Sequence, residues 1–156
     1  MAGIVHDLGL DRLPPFHRDR LFGAATFAPL LFWGGLWLTT PARPIAPAQV
    51  LSWTFFFLIF AQPFLEELVF RGFLQGELLR FGWGEKRWNG MTAANGVTSL
   101  FFTLGHLSSH PPLWAVSVVI PSLIFGYFRD RSSSLYPSIL LHCYYNAGYF
   151  ILTGLP

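Results

Sequence analysis

Charged residues are scarce in this chain. Asp, Glu, Lys and Arg make up 12% of its 156 residues, against about 25% in typical soluble proteins. Apolar residues make up 53% and come in runs rather than spread along the chain. So little charge cannot cover a water-soluble globule, and the composition therefore predicts an integral membrane protein. A basic stripe is also lacking, so nothing indicates nucleic-acid binding.

Cysteine and several sequence signatures are scarce or missing. Cys143 is the single cysteine, which excludes a disulfide within the chain. Adjacent helical residues point in different directions, so Cys143 and His142 do not form a dyad, and Cys143 is assigned to packing. The first twenty residues lack the apolar core of a signal peptide and predict a cytoplasmic tail. Neither the G-x-S-x-G elbow of an α/β-hydrolase nor a helical H-E-x-x-H is present.

Long apolar runs predict the fold. A spanning helix needs about 20 mostly apolar residues. The predicted spans are residues 21–40, 49–80, 91–107, 113–128 and 135–152. The sequence thus predicts an all-α integral membrane protein, a bundle of about five transmembrane helices. Residues 1–20 form the predicted tail and residues 21–156 a single membrane-embedded domain.

The distribution of Lys and Arg predicts the orientation, because these residues accumulate in cytoplasmic loops. If the N-terminus lies inside, the outer segments contain one such residue, Arg43, and the inner segments contain more of them. The inner group is Arg12, Arg18, Arg20, Arg80, Lys86, Arg87, Arg129 and Arg131. We therefore predict a multi-pass protein of a bacterial inner membrane, with a cytoplasmic N-terminus and an external C-terminus.

Three ionisable residues interrupt the second apolar run, in "QPFLEELVFRGFL". Each charge at a helix centre costs roughly 2.5–3.5 kcal/mol on insertion scales. Glu67 and Arg71 are four residues apart in the favourable order, so they are predicted to pair. Glu66 points about 100° away and has no cation at i+3 or i+4. We therefore predict a supporting role for the pair and a functional role for Glu66.

Two further apolar runs carry similar polar residues. His106 follows Phe102 by one turn on the same face, and His142 and Asn146 share another face. One such histidine alone is usually a satisfied buried side chain. Three segments that each carry carboxylate, imidazole or amide groups instead indicate a site built between helices.

This set of groups suits hydrolysis of an amide bond. Glu66 is the candidate general base for water, and His106 orients that water or shares its proton. His142 and Asn146 are candidate donors to an oxyanion. Zinc is the competing chemistry, with Glu66, His106 and His142 as ligands and water in the open position. A metal-free glutamate mechanism is the preferred hypothesis, and zinc stays the alternative.

Three motifs in chain order resemble those of one known family. They are E-E-x-x-x-R in "EELVFR", F-x-x-x-H in "FTLGH" and H-x-x-x-N in "HCYYN". Over residues 49–152 the chain resembles the CAAX-protease and bacteriocin-processing (CPBP or Abi) family of intramembrane proteases. Its compact size is similar to small bacterial members of the myxosortase-like group. The resemblance implies an intramembrane endopeptidase that cleaves a membrane-anchored protein or peptide near its C-terminus.

The same resemblance assigns roles to the motif residues. It implies Glu66 as base, His106 as its partner, and His142 with Asn146 as ligands of the oxyanion or water. The supporting residues are Glu67, Arg71 and Phe102.

Two other functions are alternatives to proteolysis. Some members are linked to bacteriocin immunity, which predicts a non-enzymatic membrane binding protein as the alternative. A proton-coupled transporter is disfavoured, because the chain shows no internal repeat and no pair of broken helices.

Overall fold

The computed structural model describes residues 2–39 and 44–156, and helices dominate this part of the chain. Its helices are α1 (Ala2–Asp7), α2 (Arg20–Thr39), α3 (Pro47–Val50), α4 (Trp53–Leu79), α5 (Ala93–His106), α6 (Pro112–Ser132) and α7 (Tyr136–Thr153). A short 3₁₀ helix covers Phe16–Arg18, and strands β1 (Arg87–Trp88) and β2 (Met91–Thr92) form an antiparallel hairpin. The predicted all-α class is confirmed.

The chain divides into two compact units. The first comprises the residues up to Pro14 together with Glu66–Ser138, and the second comprises Pro15–Leu65 and Ile139–Pro156. Helices α4 and α7 contribute residues to both. The division of the chain into a tail (1–20) and a single membrane domain (21–156) stays a prediction.

Among the described residues, three helices are long and apolar enough to cross a membrane, namely α2, α4 and α6. The prediction of five spans is therefore too high by this measure. Helix α5 has 14 residues, which extend about 21 Å, short of a hydrocarbon core about 30 Å thick. Helix α7 has 18 residues, but polar groups such as His142 and Asn146 reduce its apolar character.

Within the first unit, α5 returns along α4. The hairpin reverses the chain, and the Ala94 N–H donates to the Gly84 carbonyl at 3.1 Å, beside the end of α4. Thr92 caps the start of α5 by accepting the Asn95 N–H at 3.0 Å. Consecutive helices joined by so short a hairpin run in opposite directions. This antiparallel arrangement decides which residues of α4 and α5 lie at the same level.

The end of α6 returns to the end of α4. Arg129 donates to the Asp7 carbonyl at 3.0 Å, and the Asp7 carboxylate pairs with Arg80 at 3.1 Å. Arg80 and Arg129 therefore lie at the same end of this unit. Both were predicted to lie on the inner side of the membrane, which requires them to share an end. Arg43, the predicted outer cation, falls outside the described residues.

In the second unit, α2 packs against α7. The Tyr145 hydroxyl donates to the Ala25 carbonyl at 2.7 Å, and the Trp33 ring meets Tyr144 edge-on at 5.1 Å. Trp33 also lies against Gly148, where a Cβ would collide with the indole. The glycine thus allows the bulky ring to approach the helix backbone.

Candidate active site

The glutamates lie between two π-helical stretches of α4. Phe57–Ala61 and Leu68–Gln75 are π-helical, and Gln62–Glu67 between them is α-helical. Isolated π-turns are rare in helices and occur frequently at functional sites. The sequence predicted a regular helix here, and both π-helical stretches appear only in the structure.

Glu67 and Arg71 form a buried ion pair. Arg71 Nη1 donates to Glu67 Oε1 at 3.1 Å, and both side chains are 0% exposed. Arg71 Nη2 also donates to Ser122, to the hydroxyl at 2.6 Å and to the carbonyl at 3.1 Å. The pair predicted from the spacing is confirmed, and Ser122 on α6 is an additional partner.

Phe102 packs directly on this cation. The Arg71 guanidinium carbon lies 4.5 Å from the Phe102 ring centre, and Phe102 is 2% exposed. A desolvated cation over an aromatic face is stabilised by about 2 kcal/mol. Phe102 therefore joins α5 to the ion pair of α4, which suits the supporting role predicted for it.

Polar contacts continue along the same face of α4. Gln75, one turn beyond Arg71, donates to Asp130 at 2.7 Å and to the Gly126 carbonyl at 2.9 Å. Thr92 donates to the other carboxylate oxygen of Asp130 at 2.6 Å. These residues were not among those predicted from the sequence, although the i+4 repeat of Glu67, Arg71 and Gln75 is a signal that could have identified Gln75.

Glu66 lies at the level of His106. Phe70, one turn after Glu66, meets Phe102 edge-on at 5.0 Å, and His106 follows Phe102 by one turn. Because α4 and α5 are antiparallel here, the turn that precedes Phe70 and the turn that follows Phe102 extend in the same direction from the ring contact. Glu66 and His106 are therefore both displaced by about 6 Å along the helix axes from that contact. We therefore expect the predicted base and its predicted partner to lie in one layer of the first unit, and a contact between them stays a prediction.

Glu66 has a cation five residues further along the helix, beyond the i+3 and i+4 positions considered from the sequence. Arg71, five residues later, lies close enough for an electrostatic attraction to Glu66, weaker than that to Glu67. The reason is geometric: a π-helical stretch begins at Leu68, and it brings residues five apart nearer to one another than a regular α-helix does. Glu66 is half-buried, whereas Glu67 is fully buried.

His106 is held in one tautomer. Its Nδ1 lies 2.8 Å from the Phe102 carbonyl, which can only accept, so Nδ1 carries the proton. In the neutral ring Nε2 is then the acceptor. The centre of the His106 ring also lies 4.5 Å from that of Phe102 and 6.0 Å from that of Trp114, whose plane is inclined to it by 30°. These contacts fix the imidazole at the end of α5 with its basic nitrogen directed away from its own helix turn.

His142 and Asn146 belong to the second unit, one turn apart on α7. His142 is 5% exposed and Asn146 is half-buried. Their predicted convergence with Glu66 and His106 stays a prediction. Asn146 Nδ2 donates to the Leu58 carbonyl at 3.1 Å, a contact with α4 that the sequence analysis did not anticipate.

A proline explains why Asn146 contacts Leu58. In a π-turn each N–H bonds to the carbonyl five residues back, as the Gln62 N–H does to Phe57. The Leu58 carbonyl would take the N–H of residue 63, which is Pro63 and has none. Asn146 supplies the missing donor with one of its two amide hydrogens, and the other remains for a ligand.

Comparison with known families identifies the chain. Residues 48–148 match the family described as type II CAAX prenyl endopeptidase, Rce1-like. The chain belongs to this family. The family indicates an intramembrane peptidase, acting within the bilayer on membrane-anchored protein substrates. No curated protein and no solved structure matches the chain significantly.

The donor set of each unit was compared with the needs of a metal. A catalytic zinc site takes three protein ligands. Over the described ranges, neither unit gathers three His, Cys, Asp or Glu side chains that could hold an ion. The alternative ligand set of Glu66, His106 and His142 draws on both units and stays a prediction, so no step through a metal is derived.

A double-mutant cycle separates the structural and chemical roles of Asn146. We expect Asn146→Leu to destabilise the protein by about 1–3 kcal/mol, because it leaves the Leu58 carbonyl without a donor. Pro63→Ala restores the backbone N–H, so the double variant should regain most of that loss. Thermal unfolding of the four proteins in the same detergent measures the coupling. Strictly additive effects would contradict the assigned contact.

Proposed function

We propose that the protein is an intramembrane endopeptidase in which Glu66 activates water to cleave a membrane-anchored protein or peptide near its C-terminus. The observation that supports this proposal is the contact of Phe70 with Phe102 at 5.0 Å, from which we infer a common level for Glu66 and His106, inside the region that matches the endopeptidase family. A general base and a residue that orients the same water must share a layer of the bundle.

The proposed reaction uses these groups in sequence. Glu66 and the acceptor Nε2 of His106 hold one water through its two hydrogens. Glu66 removes a proton as the water oxygen attacks the scissile carbonyl, which becomes a tetrahedral oxyanion. His142 and the second amide hydrogen of Asn146 donate to that oxyanion. The carbon–nitrogen bond then breaks, and Glu66 returns its proton to the departing amine.

Glu67 and Arg71 have a supporting part in this proposal. Their pairing leaves no net charge from these two residues in the helix. Arg71 also attracts Glu66, less strongly than it attracts Glu67. Phe102 packs against both the Arg71 guanidinium and the His106 ring. A change at any of these three residues should therefore reach the catalytic pair through packing.

The protein is also proposed to face the cytoplasm with its N-terminus. Arg80 and Arg129 lie at the same end of the first unit. This supports the orientation, because positive residues accumulate on the cytoplasmic side. Impermeant labelling of single cysteines in a Cys143→Ser background tests it. Labelling of a cysteine at Glu85 from the cytoplasmic side alone is expected, and labelling from the external side alone would contradict it.

The direct test of the function is cleavage by purified protein in lipid. Candidate peptides with a membrane anchor are incubated with the wild type and with Glu66→Ala, and products are identified by mass spectrometry. Cleavage by the wild type alone supports the proposal. Binding of the peptides without cleavage, equal in both proteins, would instead indicate a binding protein.

Metal dependence separates the two catalytic chemistries. We expect activity to persist after treatment with a strong chelator and removal of released ions, and the purified protein to hold less than one zinc per chain. A zinc peptidase treated in parallel provides the positive control for chelation. Loss of activity that returns when zinc is added back would establish the metal alternative.

A further inference from the structure

The N-terminal residues are docked on the first unit, although the sequence predicted a simple tail. Helix α1 ends in a Schellman turn, in which the Leu10 N–H bonds to the Val5 carbonyl and the Gly9 N–H to the His6 carbonyl, both at 2.9 Å. Gly9 takes the left-handed conformation that this turn requires, with φ of +72°. We refer to residues 2–12 as the N-terminal latch.

Four donors of the first unit bind carbonyls of the latch. Arg129 donates to Asp7 at 3.0 Å and the Leu135 N–H donates to Gly9 at 2.8 Å. Two hydroxyls complete the set, with Tyr136 donating to Leu10 at 3.1 Å and Ser134 donating to Arg12 at 2.8 Å. We call Arg129, Ser134, Leu135 and Tyr136 the donor surface.

The chemistry of the donor surface matches the end of a helix. The last carbonyls of a helix have no donors within it, and a cation at that end also interacts favourably with the helix dipole. Arg129 meets both needs at Asp7. Because all four of these hydrogen bonds go to main-chain carbonyls, the donor surface recognises the shape of a glycine-capped helix end more than its side chains.

Shape adds selectivity to these hydrogen bonds. A Cβ on Gly9 would lie 2.9 Å from the Arg129 guanidinium carbon and 3.1 Å from the Ser133 carbonyl oxygen, at a φ of +72° that strains any residue but glycine. Leu8 reaches to Gly72 of α4, where its Cδ2 would be 3.2 Å from an added Cβ. The latch therefore rests on the helix that carries Glu66, six residues before Gly72.

We propose that the donor surface is a binding site for a short helix that ends in glycine, and that the chain's own N-terminal latch occupies it exchangeably. Helix α1 has six residues, far fewer than the 12–15 or so that an isolated helix needs in water. Its order therefore depends on docking, and an undocked latch leaves the donor surface open to the same peptide supplied separately.

The test uses the full-length protein with two matched glycine variants. Gly9→Ala adds a methyl group where Arg129 and the left-handed backbone exclude it, whereas Gly3→Ala adds one where nothing lies within 4 Å. Hydrogen exchange of the Leu135 amide reports docking. We expect exchange about tenfold faster or more in Gly9→Ala, as a loss of about 1.4 kcal/mol implies, and unchanged exchange in Gly3→Ala.

A peptide of residues 2–14 then tests exchange directly. The labelled peptide should bind the Gly9→Ala protein saturably and restore Leu135 protection, while the wild type and Gly3→Ala bind little because their site is filled. A Gly9→Ala peptide should fail to restore protection. Unchanged Leu135 exchange in Gly9→Ala would overturn the proposal, as would a lack of restoration by the wild-type peptide. Failure of Gly9→Ala to fold would also overturn it, since a segment required for folding is not exchangeable.

Discussion

Glu66→Gln should abolish peptide cleavage and leave the folded protein intact. Glutamine keeps the size of the side chain and its hydrogen-bonding oxygen but cannot accept the proton of an attacking water. Removal of a general base lowers rates by about 10²–10⁴, so cleavage should fall at least a hundredfold. The measurement is the initial rate with a membrane-anchored peptide, together with thermal unfolding in the same detergent.

A matched change on the same helix controls for charge. Glu77 is partly exposed and pairs with Arg80 at 3.5 Å, away from the level of His106. Glu77→Gln should therefore retain nearly full activity. Equal activity of Glu66→Gln and the wild type would refute the proposed base, while the family assignment would stand. Loss of activity in both variants would point to a general effect of charge on the protein.

Glu67→Ala should have the largest effect on stability. It strands the Arg71 guanidinium, which is fully buried, and removing one partner of a buried pair costs about 3–5 kcal/mol. Such a loss is a large part of the stability of a typical domain. The amount of monodisperse protein recovered from membranes should fall sharply, whereas Glu66→Ala should be recovered like the wild type.

A compensating variant shows whether the stranded charge causes that loss. Replacement of a whole buried pair by apolar residues of similar volume is often neutral or stabilising. Glu67→Leu with Arg71→Met should therefore be recovered better than Glu67→Ala alone, even if it lacks activity. Recovery as poor as that of the single variant would show that the contacts of Arg71 with Ser122 and Phe102 matter more than its charge balance.

The sequence by itself determined the class of the protein, its family and one buried ion pair. Scarce charge and long apolar runs establish a helical membrane protein. The bilayer core offers no water to backbone N–H and C=O groups, and a helix pairs these groups within itself. The pairing of Glu67 with Arg71 also follows from spacing alone, since residues four apart share a helix face. The three motifs led to the family that the later match confirmed.

Only the tertiary structure decided the contacts between segments distant in the chain. The common level of Glu66 and His106 depends on the meeting of Phe70 with Phe102, and spacing within one helix cannot give it. The donor that replaces the missing N–H of Pro63 comes from Asn146, far along the chain, so the proline alone could not reveal it. The docking of the N-terminal latch was not predicted, because its hydrogen bonds are accepted by main-chain carbonyls. Every residue has such a carbonyl, so these bonds require no particular residue type in the latch. Hydrophobic patterning reports which face of a segment is buried, whereas the partner that buries it is chosen by packing of the whole unit.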